Sequence, residues 1–405
     1  MLFYIKRLRM YTTPVLPQSE QYPLKQEILN KAERIIIESA KLTGNLNIHI
    51  INAIKENLRT INSYYSNKIE SEGTHPIDIE RAMRNEFSQD DKKKSMQQLS
   101  LVHIEVQKYL ETTLDISSKA YSLEKILEIH KEFYNKKEMK YALNIKNGEL
   151  EVEMIPGKLR EGYVRVGEHI PPQSDELIAC FNEFEMLYNQ SRSSTHTMKL
   201  IYALCSHHRL TYIHPFYDGN GRVSRLYLDY LLYHSDIQGY GLWNISRGLA
   251  RNQKEYRKFL SLADEKFSGY NDGRGPLTLK GLENFLEFML DIALDQVLFM
   301  SEYLKLDSMT TKIKAYVELS QKKLIRNVNP LPKNSNKLLE YLLVHGEVTR
   351  GNAQEILGVS APKAISIVKE LLEEDYLQTD SPRGKLRFKL NSKLSNYLIP
   401  DLFEN

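Results

Sequence analysis

The stretch Ile213-His214-Pro215-Phe216-Tyr217-Asp218-Gly219-Asn220-Gly221-Arg222-Val223-Ser224-Arg225 gathers a proton acceptor, an acid, two glycines and two arginines just before an apolar helix. Gly219-Asn220-Gly221 can turn successive backbone N–H groups toward one point and form an anion nest. The helix expected after Gly221, carrying Leu226, Leu228, Leu231 and Leu232, adds its positive end. Arg222 and Arg225 are three apart, so they share a helix face and reach the same anion. The chain has no G-x-x-x-x-G-K-[ST], so this phosphate cradle is not a P-loop. Asp218 beside phosphates suits Mg2+, which takes one or two carboxylates plus phosphate oxygens and waters. His214 is the one group of the run able to take a proton near neutral pH. A base, a metal carboxylate and a phosphate cradle together point to phosphoryl or nucleotidyl transfer to a hydroxyl.

Around this loop, helical periodicity dominates. Residues 24–43 place Ile28, Ile35, Ile36 and Leu42 near one stripe, and the pattern continues over 47–62. Between 74 and 98 the chain turns polar and reads as a mobile connection, with Asp90-Asp91-Lys92-Lys93-Lys94 as a solvated helix start. Further helices are expected over 98–112, 122–134, 174–190, 196–210, 251–266 and 277–305. Residues 147–172 break the pattern. Alternating apolar residues, an Asn-Gly pair, Gly157, Gly162, Gly167 and a Pro-Pro stop are hairpin signals.

With 405 residues, two or three domains are the natural expectation. A net charge of +3 predicts no strong non-specific pull toward nucleic acid or anionic membrane. Cys180 and Cys205 are the only cysteines and lie in no ligand spacing, which argues against a disulfide framework or a structural zinc. The first ten residues lack a continuous apolar stretch, and no run of about 18 apolar residues occurs. No membrane partner and a cytoplasmic location are expected.

At every fixed position, residues 214–225 match H-x-F-x-[DE]-G-N-G-R-x-x-R, and the chain resembles the Fic family over roughly residues 25–305. The resemblance implies a mainly α fold: a Fic helical core with a small β-hairpin flap. It implies a protein adenylyltransferase that moves AMP from ATP, with Mg2+, onto a Ser, Thr or Tyr hydroxyl of a target protein. His214 is then the base and Asp218 the Mg2+ ligand. The Gly219–Gly221 backbone and Asn220 receive the phosphates, Arg222 contacts the outer ones, and Arg225 pairs with the γ-phosphate. Phe216 anchors the loop. Kinase-like Doc relatives have Lys where Gly221 stands, so Gly221 favours attack at the α-phosphate.

Tyr163 to Pro172, with Val164, Arg165, Val166 and Gly167 among the nucleotide-side residues, resembles the Fic flap that docks a target segment by strand addition. Ser66-Asn67-Lys68-Ile69-Glu70-Ser71-Glu72-Gly73 resembles the inhibitory motif [ST]-x-x-x-E-[GN]. By that likeness Glu70 pairs with Arg225 and keeps the γ-phosphate from seating. Ser71 stands where Gly or Asn is usual, and Glu72 is a nearby competitor for the role. The same glutamate can orient a water that removes AMP. Tyr256 occupies the region where relatives contact the base and is a candidate stacking surface. Arg257 and Asp264 depart from the commoner Tyr and Asn.

Four segments are expected: an N-terminal helical region with the inhibitory helix (1–110), the Fic catalytic core (111–310), a helix end and linker (311–334), and a C-terminal winged helix-turn-helix (335–405). In the last, helices are expected over 335–345, 349–357 and 360–375, followed by strands around Ser381-Pro382-Arg383-Gly384. Residues 337–390 hold eight basic and eight acidic residues. A neutral module lacks the drive for phosphate-backbone binding, so a protein partner is favoured over DNA. A homodimer is compatible with the sequence. The alternative is a nucleotide-sensing transcriptional regulator acting through this module.

Overall fold

Helices make up most of the chain in the computed structural model, which describes residues 18–19, 22–44, 46–115, 118–147, 150–189, 195–269, 272 and 277–404. The first ten residues and Gly148 of the expected Asn-Gly turn lie outside the described residues. Helix α1 (Gln26–Lys41) buries Ile28, Ala32, Ile35 and Ser39, one core-facing stripe. Helix α2 (Ile48–Ile69) begins at Asn47, whose side chain accepts the N–H groups of His49 and Ile50 at 3.0 and 3.1 Å.

The polar stretch after α2 is more regular than its composition suggests. Helix α3 (Pro76–Met83) starts on a proline, whose missing N–H costs nothing in the first turn. Helix α4 (Asp91–Thr112) starts from Asp90, whose carboxylate accepts the Lys93 N–H at 2.8 Å. The charged run is therefore a helix start as expected, but 74–98 as a whole is not a mobile connection. Buried Ile79 and Ala82 hold α3 in place, and they are too few to give a readable period.

Helices α5 (Leu123–Tyr134), α6 (Leu177–Tyr188), α7 (His196–Ile213) and α8 (Asn220–His234) follow, then α9 (Ile245–Arg251), α10 (Gln253–Ala263), α11 (Leu279–Tyr303) and α12 (Leu306–Gln321). Helices α7 and α8 pack on each other and are joined by the short loop 214–219. Helix α7 is buried along nearly its whole length, which puts the loop at the end of a rigid central element. Trp243 closes the core and donates its indole N–H to Ser39 Oγ at 2.9 Å.

Strands are short. β1 (Gln18–Ser19) pairs with β2 (Tyr22–Pro23), and β3 (Asn144–Asn147) pairs antiparallel with β4 (Leu150–Glu153). The expected hairpin over 147–172 is thus two features. One is the β3–β4 ladder, which begins before residue 147. The other is a turn at 166–169, where Val166 and His169 exchange both backbone hydrogen bonds at 3.0 Å around Gly167, which has φ +60°.

The C-terminal segment holds α13 (Ser335–His345), β5 (Glu347–Val348), α14 (Arg350–Leu357), α15 (Ala361–Glu373), β6 (Leu377–Gln378), β7 (Leu386–Phe388) and α16 (Ser392–Leu398), with antiparallel sheet order β5-β7-β6. Gly346 and Gly358 end α13 and α14 at positive φ. Strand β5 and helix α16 are elements the sequence pattern does not reveal. This segment docks against the start and end of α2. Asn47 Nδ2 donates to Leu343 O at 2.9 Å, Lys68 pairs with Glu404, and Arg84 meets Asp375 at 2.7 Å.

Candidate active site

Helix α7 stops at His214, which takes a left-handed conformation (φ 48°, ψ 63°). That region is strained for most non-glycine residues and clusters at functional sites. Arg160 holds the turn. Its Nε donates to His214 O at 2.8 Å, and its Nη atoms donate to Gly162 O at 3.0 Å and Pro172 O at 2.5 Å. One buried guanidinium so ties the base of the flap segment to the backbone of the histidine. His169 adds a second tie, at 2.8 Å from Tyr212 O. Burial, followed by the neighbouring His169 and Arg160, pushes the His214 imidazole down to about 4. It is neutral at physiological pH and ready to accept a proton.

Phe216 is buried and stacks on His130 with ring centroids 3.8 Å apart, the anchoring expected of it. Asn220 bonds within the same loop. Its Oδ1 accepts Phe216 N–H at 2.9 Å, and its Nδ2 donates to Phe216 O at 2.8 Å. Its side chain thus ties residues 216 and 220 together across the loop, with one N–H of the amide still available as a donor. Gly219, at φ 78°, begins α8. A Cβ there would lie 2.2 Å from the Tyr134 hydroxyl, so glycine is required both for the turn and for the approach. Helix geometry leaves the N–H groups of Asn220, Gly221 and Arg222 without intrahelical acceptors.

The two arginines point into this corner. Arg225, 3% exposed, donates Nε to Ser66 Oγ and Nη2 to Ser66 O, both at 2.9 Å, and pairs with Glu70 at 2.7 Å. Arg222, 6% exposed, donates to the Tyr134 hydroxyl at 3.2 Å and pairs with Glu72. Glu70 lies so close to Gly221 that a Cβ there would come within 2.2 Å of its Oε1. Burial alone would raise its pKa, yet Arg225 above all, then Arg222 and Arg257, holds it below the usual carboxylate range. A carboxylate therefore occupies the anion corner.

Glu70 is delivered by the end of α2. Ser71 adopts φ 64°, its N–H bonds Lys68 O at 2.9 Å, and the Glu72 N–H bonds Asn67 O at 2.9 Å, a Schellman cap. The position where the motif has Gly or Asn, residues that tolerate this conformation, is thus left-handed in this chain. Ser71→Gly is expected to stabilise the fold by ~0.5 kcal/mol through relief of left-handed strain. A melting temperature unchanged or lowered would contradict this.

Asp218 is exposed at the crest of the loop. Withdrawal of its carboxyl from water on the inner side raises its pKa; the Gly219 N–H opposes the rise and Glu70 adds to it. Among the described residues no group of three or more His, Cys, Asp or Glu could hold a metal ion. The donor set thus fits Mg2+ only when phosphate oxygens and waters complete its shell.

Val166 and Tyr163 of the flap segment are exposed, and Arg165 bonds within it, to Gly167 O at 2.7 Å and Glu168 at 3.0 Å. Val164 is half-buried. Tyr256 departs from expectation. It is 4% exposed, and its hydroxyl sits 2.7 Å from His207 Nε2, so it forms the floor behind Arg225 and offers no open stacking face. Tyr134 and Arg160 escape sequence reasoning because nothing local marks their contacts with Arg222 and His214, 88 and 54 positions away.

His103, His130 and His207 are pushed down to about 3 by burial, and His208 is also lowered. With folded values below the unfolded 6.5, the unfolded chain binds more protons between about pH 3 and 6.5. Stability is full above that window and falls with pH through it. A melting temperature that drops by several degrees between pH 7 and 5.5 is expected, and a constant one would contradict these burials.

Residues 120–232 match the Fic/DOC family. Those residues form a Fic domain. Over 110 residues it is 40% identical to a Drosophila melanogaster protein named protein adenylyltransferase Fic, covering 27% of this chain and 21% of that one. A protein of the same name from Aedes aegypti is 32% identical over 160 residues, 39% of this chain and 28% of that one. The Fic-domain protein thus spans between a fifth and a third of the length of these curated relatives. Its fold is similar to a Fic family protein from Desulfovibrio desulfuricans (TM-score 0.51, 17% identity, 92% of this chain and 98% of that one). It is also similar to a Fic-domain-containing signaling protein from Bacteroides thetaiotaomicron (TM-score 0.50, 16% identity, 67% and 97%).

Proposed function

We propose that this Fic-domain protein transfers AMP from ATP to a hydroxyl side chain of another protein, and that Glu70 restrains the reaction. The observation that carries the reading is the placement of a neutral, strained His214 on the loop that opens into a backbone anion nest flanked by Arg222 and Arg225. The adenylyltransferase names of the relatives support it. In the proposed step the acceptor oxygen attacks the α-phosphorus while His214 takes its proton, the bond from that phosphorus to the bridging oxygen breaks, and pyrophosphate leaves. The N–H groups of Asn220 to Arg222 and the two guanidiniums bind the phosphate oxygens. Asp218 would hold Mg2+, which neutralises charge on the triphosphate. The exposed turn around Val166 offers backbone groups to an extended target segment.

Transfer from ATP labelled at the α-phosphate tests this. Label from the α but not the γ position on an acceptor protein is expected, and γ label alone would mean phosphorylation instead. Initial rates should show no titration near pH 6.5 arising from the base, because its acid limb lies near the depressed value of His214. A limb at 6.5 that vanishes on replacing His214 would contradict that placement.

For the C-terminal segment we favour a protein partner. Its turn cations are neutralised in place, Lys385 by Glu347, Arg387 by Asp380 and Lys389 by Asp375, which removes charge that DNA would need. The two cysteines are buried and unpaired, and among the described residues no helix is long and apolar enough to cross a membrane.

A further inference from the structure

We propose that Glu72 is a second latch on the nucleotide site, holding Arg222 as Glu70 holds Arg225, so that the site is closed by two carboxylates acting on two different arginines. The inference rests on the reading of 219–225 as a phosphate cradle and extends its regulation to a residue so far treated only as a rival of Glu70.

The geometry comes from matching two turns. On one side the Schellman cap at Ser71 reverses the chain. Gly73 then packs so tightly on Lys68 that a Cβ there would lie 2.9 Å from Lys68 Cβ. This doubling back places Glu70 and Glu72, two residues apart, over the same corner. On the other side Arg222 and Arg225, three apart on the first turns of α8, present their guanidiniums from one helix face. Each carboxylate takes one guanidinium: Glu70 pairs with Arg225 and Glu72 with Arg222.

Arg222 is the more consequential partner for binding. Arg225 keeps two further bonds to Ser66 when its carboxylate leaves. Among the described residues Arg222 hydrogen-bonds only the neutral Tyr134 hydroxyl besides Glu72, with Glu70 acting on it through space, and its buried Nε makes no hydrogen bond. A buried guanidinium left with one neutral partner is an avid site for an anion. Glu72 must be displaced before phosphate reaches it. Both glutamate side chains are part-exposed, 35% for Glu70 and 41% for Glu72, so the pair forms a plug at the surface that can lift away. Gln253 and Arg257 donate to Ile69 O at 2.7 and 3.4 Å and steady the end of the helix that carries the plug.

The two latches should separate in experiment. Binding of Mg-ATP is measured by calorimetry, alongside melting temperature, for the full chain and its Glu72→Gln, Glu72→Ala, Glu70→Gly and Glu70→Gly/Glu72→Gln forms. Glu72→Gln is expected to tighten binding on the order of fivefold, discounted for the exposure of the carboxylate. The double variant should bind more tightly than Glu70→Gly by a similar factor. Binding by the double variant equal to that of Glu70→Gly would overturn the second latch and leave the nucleotide site standing. Absence of Mg-ATP binding in every variant would overturn both, whatever the labelling assays show.

Discussion

Glu70→Gly is expected to raise α-label transfer on the order of ten- to a hundredfold over the parent chain. A charge-assisted hydrogen-bonded pair is worth about 1.5–3 kcal/mol, and less where, as for Glu70, one edge of the carboxylate stays in water. Two effects act together. The carboxylate neutralises Arg225 at 2.7 Å, and its oxygen fills the space above Gly221 that a phosphate needs. Removing the side chain frees both, while Ser66 keeps the guanidinium aimed. Equal labelling by parent and variant in parallel reactions would remove Glu70 from the brake. Partial release, with more gained on adding Glu72→Gln, fits a site held by two carboxylates.

His214→Ala made in the Glu70→Gly background should lower transfer by roughly 10²- to 10⁴-fold, the usual worth of a positioned general base. The released background matters, because a restrained parent leaves little activity to lose. Loop damage is separable from loss of the base. The conformation around residue 214 is held by Arg160 on its carbonyl and by Asn220 across the loop, neither of which needs the imidazole. Mg-ATP binding should therefore persist. Undiminished transfer would end the assignment, and loss of nucleotide binding as well would show that the side chain supports the loop instead.

The loop 214–225 could be read from the chain because its chemistry is contiguous: turn, nest and two arginines lie within reach of one another whatever surrounds them. The Glu70–Arg225 pairing was readable only through resemblance, since 155 residues separate the partners. Residues whose role depends on what packs behind them were not readable. The bonds by which Asn220 closes the Phe216 backbone are not visible in its residue type, and Tyr256 has the right type for stacking but lies under Arg225 against His207. Arg160, on which the histidine turn hangs, looks like any surface arginine in sequence, and its burial exists only once the flap segment folds over it. The same limit applied to the fold. Helix α3 escaped notice because only one short side of it is apolar, and helix α16 because its buried face is supplied by a serine pair and two leucines.

The most direct test is a crystal structure of the Glu70→Gly form grown with Mg2+ and a non-hydrolysable ATP analogue. The triphosphate is expected to sit against the backbone of residues 219–222, with guanidinium contacts from Arg222 and Arg225 and the His214 imidazole facing the α-phosphorus. A nucleotide bound elsewhere, or phosphates that make no contact with that loop, would contradict this.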